Sequence, residues 1–85
     1  MRLLLQHPPV GAEAPRFVQL ALQQDLLGGW LLVRETGHIG QRSTVKREQY
    51  LNQDDALAAF EQHRDQNVKR GFQIVFVQGA EAPRT

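Results

Sequence analysis

Residues 28–40 read GGWLLVRETGHIG. Two glycines open the stretch, a largely apolar run from Trp30 to Glu35 follows, and Gly37 and Gly40 bracket His38 and Ile39 as a second reversal. Glycine reaches positive φ without steric cost, so glycines on both sides of a β-prone run mark a strand between turns. Upstream, Arg16 to Gln24 alternates, with Val18, Leu20 and Leu22 on one face and Phe17, Gln19, Ala21 and Gln23 on the other. That is the period of a strand with one buried face. Asp25 to Gly29 joins the two runs, which therefore read as a hairpin.

Downstream, Ser43 to Tyr50 is β-prone but mostly polar, as suits a strand at a solvated sheet surface. Asn52, with Asp55 three residues on, forms a shortened capping box, and Asp54 and Asp55 sit where the helix dipole favours negative charge. Lys69 and Arg70 in a last turn and Gly71 after it mark the stop, so the spacing predicts a helix from about 53 to about 70. Ala56, Leu57, Phe60 and Val68 are expected on its apolar face. Phe72 to Val77 is a final β-rich run, and 79–85 reads as a frayed tail. Before the hairpin, Arg2 to Gln6 can form a short strand, after which Pro8, Pro9, Gly11 and Pro15 make a linker or covering loop. Strands, one helix and another strand in that order imply an α+β fold, an antiparallel sheet with a helix packed on one face. Phe17, Leu20, Leu22, Leu32, Leu57 and Phe60 are the expected core.

The 85 residues allow one domain with one core, and a chain of this size buries only about 60–65% of its unfolded surface. Hydrophobic residues at 41% and charged residues at 22% fit a globular chain rather than a disordered one. Without cysteine there is neither a disulfide framework nor a thiolate metal site, which suits a reducing compartment. The apolar run at Leu3 to Leu5 is too short for a signal-peptide core or a membrane span, so a cytoplasmic, membrane-free protein is expected. A formal net charge of +1 means that any basic surface must be local.

These elements together resemble the WGR domain, the module named for a Trp-Gly-Arg triplet and found in poly(ADP-ribose) polymerases and in stand-alone bacterial proteins. The resemblance spans 16–72 of a single domain covering 1–85, with 1–15 as a leader of strand and loop. It is carried by the strand before Asp25, by Gly28 to Arg34, by the turn Thr36 to Gly40, and by Ala56 and Phe60 ahead of Gly71-Phe72. Thr36-Gly37-His38 stands where the family has its triplet. The resemblance implies the same α+β architecture and a DNA contact at this turn, with Thr36 in the place of the Trp and His38 in the place of the Arg.

No catalytic signature is present. His7, His38 and His63 have no metal-ligand spacing, and no P-loop, nucleophile elbow or dinucleotide fingerprint occurs, so neither an enzyme nor a cofactor is expected. Between residues 34 and 47 the basic residues Arg34, Arg42, Lys46 and Arg47 face Glu35 as the single acid, a local charge of +3. His38 can add to it at low pH. The expected nucleic-acid-binding set is therefore Thr36, His38, Arg42, Lys46 and Arg47, acting weakly and without sequence preference on DNA phosphates. A solvated strand face explains the same charges without a ligand. Arg34 reads better as an inward structural arginine paired with a carboxylate or with turn carbonyls, and Trp30 as a packing residue. The other class is an interaction module. Leu3, Leu4 and Leu5, if ordered as an N-terminal edge strand, would suit a protein partner or a homodimer; the alternative is that they simply cover the core.

Overall fold

The computed structural model describes residues 1–79. Its elements are β1 (Arg2–His7), β2 (Arg16–Gln24), β3 (Trp30–His38), β4 (Ser43–Tyr50), α1 (Gln53–Lys69) and β5 (Gln73–Gln78). The strands form one five-stranded antiparallel sheet in the order β4-β3-β2-β1-β5, and α1 packs across β2, β3 and β4. This is a small α+β fold.

The hairpin forms because its turn is locally over-determined. Asp25 Oδ1 accepts hydrogen bonds from the backbone N–H of Leu27 and of Gly29, both at 2.8 Å, while Gly28 takes a φ of +87°. Gln24 then pairs with Trp30, and the ladder runs without a slip to Arg16 opposite His38. Helix α1 begins and ends on its signals. Asn52 Oδ1 accepts from Asp55 N at 2.9 Å, and Asn52 Nδ2 donates to Asp55 Oδ2 at 3.1 Å. At the other end, the N–H groups of Arg70, Gly71 and Phe72 take up the carbonyls of Gln66, Asn67 and Val68, with Gly71 at φ +95°.

The core lies between the sheet and α1. Leu3 and Leu5 of β1, Val18, Leu20 and Leu22 of β2, and Leu32 of β3 meet Ala56 and Phe60 of the helix, with Phe72 closing one end. Leu57, Trp30 and Tyr50 pack against this cluster half-buried, which bears out Trp30 as a packing residue.

The structure corrects the sequence reading in several places. β1 is not an edge strand: it pairs with β2 on one side and β5 on the other, because the chain returns after α1 and adds β5 outside it. Among the described residues the edges are β4 and β5. Phe17 is only half-buried, since strand alternation turns it away from Val18 and Leu20 toward the face without a helix. Val68 is 47% exposed, because eight residues after Phe60 at 3.6 per turn leave it about 80° off the buried stripe. Thr36, Gly37 and His38 lie in β3 rather than in a turn, and the reversal falls after them, with Gly40 at φ +81°. Of the expected tail 79–85, residues 80–85 lie outside the described chain.

Candidate nucleic-acid interface

Position on the sheet decides which face each functional side chain occupies. In β3, Trp30, Leu32, Arg34, Thr36 and His38 share the phase of buried Leu32 and point to the helix side. Thr36 stands between Val18 and Thr44, its partners on either side, and His38 stands opposite Arg16. Gly37 between them must be small: a Cβ there would come within 3.0 Å of the Arg42 carbonyl oxygen and 3.1 Å of the Ser43 Cα.

At this end of the molecule the last turns of α1 overhang the sheet and leave a groove of about 320 Å³, lined among others by Arg16, Thr36, His38, Asn67, Arg70 and Phe72. Among the described residues no carboxylate lines it. The Arg16 guanidinium lies 5.3 Å from the centre of the Phe72 ring, which also meets the His7 ring edge-on at 5.2 Å. Stacking of this kind limits where the long Arg16 side chain can go and leaves its N–H donors free for an anion. Arg70 caps the helix and brings positive charge to the end whose carbonyls would otherwise repel an anion.

The expected binding set is divided by this geometry. Thr36 and His38 come together at the groove, and Arg42 is exposed in the connection between β3 and β4. Lys46 is opposite Arg34 and points to the helix side, whereas Arg47 is opposite Val33 and points to the other face. Adjacent strand residues cannot share one face, so Lys46 and Arg47 do not form a single patch. Arg16, Asn67 and Arg70 were missed by the sequence reading. Arg16 was within reach of it: once Gln24 is paired with Trp30, counting back along the hairpin puts Arg16 opposite His38. Arg70 carried no such signal, because the packing of α1 alone brings it there.

Arg34 is structural. Its Nη2 lies 3.5 Å from Glu48 Oε2, and Tyr50 Oη donates to Glu48 Oε1 at 3.0 Å. Burial first, and then the bond to Glu48, raise the Tyr50 pKa above its usual range, which keeps the hydroxyl a donor. His63 Nε2 is 3.7 Å from Glu48 Oε1. Burial lowers the His63 pKa, Arg34 lowers it further, and Glu48 opposes both without prevailing. The imidazole is therefore neutral at pH 7, and the contact with Glu48 is not an ion pair there. The network anchors β3, β4 and α1 to one another.

Among the described residues no cluster of His, Asp and Glu could hold a metal ion, and no helix is long and apolar enough to cross a membrane. Comparison of the chain with protein-family models, with curated proteins and with solved structures gave no match.

Proposed function

We propose that this chain is a non-catalytic binding module that holds the phosphate backbone of nucleic acid, DNA by the WGR resemblance, in the groove at the ends of β2, β3 and α1. The observation that carries the reading is a groove lined by Arg16, His38 and Arg70, with Thr36 and Asn67 beside them and, among the described residues, no carboxylate. Guanidinium groups donate bidentately to phosphate oxygens, and a Thr hydroxyl donates a further bond. With these groups engaged on phosphate oxygens rather than on base edges, binding is independent of sequence and driven by released counterions. Arg42 extends the basic surface, and Lys46 adds to it from the helix side. Arg47 points the other way and takes no part.

Fluorescence anisotropy with a labelled duplex tests this. Neutralising two to four phosphates gives log affinity a slope of about −2 to −4 against log salt. Arg16→Glu combined with Arg70→Glu abolishes binding, while Arg47→Glu leaves it nearly unchanged. Absence of binding by the wild-type protein at low salt sinks the proposal. The second reading, a protein-interaction module, then gains, favoured by the sheet face that α1 leaves open, where Val45 and Phe76 are exposed.

A further inference from the structure

The two edges of the sheet are treated oppositely by the sequence. β4 carries Lys46, Arg47 and Glu48, charges of the kind that discourage edge-to-edge pairing. β5 reads QIVFVQ and carries none. Its four apolar residues, Ile74 to Val77, are each 44–51% exposed, because α1 lies mainly over β2, β3 and β4 and leaves β5 largely uncovered. Among the described residues nothing pairs with the outer edge of β5. An uncharged, β-prone, exposed edge is the kind of segment that takes up another strand.

The order of residues in β5 indicates which strand. Gln-Ile-Val-Phe-Val-Gln is nearly the same read in either direction by residue class, polar at both ends and apolar between. Laid antiparallel against a second copy, Gln73 meets Gln78, Ile74 meets Val77, and Val75 meets Phe76, with no charge placed opposite a like charge. A regular strand could not pair this way, since Val75 and Phe76 would then point to opposite faces. The β1–β5 ladder removes that obstacle. Leu5 pairs with Ile74 and Leu4 with Phe76, so Val75 is the extra residue of a bulge. Phe76 is opposite Leu4 and lines a hollow with Arg2, Leu4 and Gln19, residues of the face without the helix, as well as with Leu3; Val75, the bulged residue beside it, lines one with Gln6 and Gln73 of that same face, as well as with His7. Ile74 and Val77, opposite Leu5 and Leu3, belong to the helix face. The order of faces along β5 is thus symmetric as well, and every pair across the two-fold axis shares a face.

We propose that β5 pairs antiparallel with β5 of a second copy of this chain, joining two sheets into one of ten strands about a two-fold axis perpendicular to the sheet, with both α1 helices on the same side. The contact is small and belongs to the weak, reversible class. The pairing does not depend on the nucleic-acid reading, and its test uses no nucleic acid.

Sedimentation or light scattering over a concentration series into the millimolar range shows wild-type mass rising from 9.7 kDa to a plateau at twice that value. The double variant Ile74→Lys, Val77→Lys stays monomeric, as does Ile74→Glu, Val77→Glu, and an equimolar mixture of the two restores the dimer because every Lys then faces a Glu. Amide hydrogen exchange in wild type slows with concentration at Ile74 to Val77 and not along β4, a readout that stands even if a variant fails to fold. A wild type monomeric throughout the series, a Lys variant that still dimerises, a mixture that does not, or a mass that climbs past the dimer would each overturn the proposal, the last by pointing to open-ended stacking of one edge on the other.

Discussion

At the scale of single residues, two phenylalanines separate burial from hydrophobicity. Phe60 is 3% exposed in the cluster between sheet and helix, so Phe60→Ala costs about 3–5 kcal/mol, a large share of the stability of so small a domain. Phe17, half-buried on the open face, loses much less on truncation. Denaturant melts of both variants check the contrast, and equal losses would mean that the open face is covered in solution. His63 gives a pH signature. Its pKa in the folded chain lies below its ordinary 6.5, so the unfolded chain binds the proton more readily. Stability is therefore unaffected by this group well above pH 6.5 and falls as the pH drops through 6.5 toward the folded value. Melting temperatures measured across that range decline in wild type and decline less in His63→Gln.

At the scale of elements, α1 shows local signals and tertiary packing in agreement. Asn52 satisfies the Asp55 N–H through its side chain, and Asn52→Ala leaves that donor to water at a cost of about 1 kcal/mol. A thermal melt of Asn52→Ala reads that loss, and an unchanged melting temperature would show that packing alone starts the helix. The helix ends, the hairpin turn and the alternation of β2 were legible because each depends on residues within a few positions of one another. The place of β1 was left open between an exposed edge and a cover for the core, for the converse reason. Arg2 to His7 reads the same as an edge or an interior strand, and its burial depends on β5, which joins it from some seventy residues further along the chain.

At the scale of the whole molecule, the groove and the β5 edge lie in a definite relation. Antiparallel pairing through six residues of β5 sets the two Phe72 ends about 20 Å apart along the ladder, and the two-fold axis keeps both grooves on the helix side. Two weak phosphate sites held together bind a strand long enough to reach both more tightly than either alone, through effective concentration and without any new contact. Resting on both proposals, the expectation is that affinity rises with duplex length in wild type and ceases to rise in the Ile74→Lys, Val77→Lys variant. Anisotropy titrations over a series of duplex lengths measure this. Equal length dependence in the two proteins would separate binding from self-association.

By itself the sequence determined what depends on neighbours along the chain: the α+β order of elements, the Asp25 to Gly29 turn and the limits of α1; it marked Trp30 for packing and Arg34 for a structural role, with the partner of Arg34 left open. Only the tertiary structure decided which strands are edges, which side of the sheet Arg47 and Phe17 face, and that Arg16 and Arg70 join His38 at one groove. The reason is geometric. Turns and caps are satisfied by hydrogen bonds spanning a few residues, whereas a groove between a helix end and two strand ends is set by where a 17-residue helix lands on the sheet. That landing depends on burying Ala56 and Phe60 against three strands at once, and no local stretch of sequence carries it.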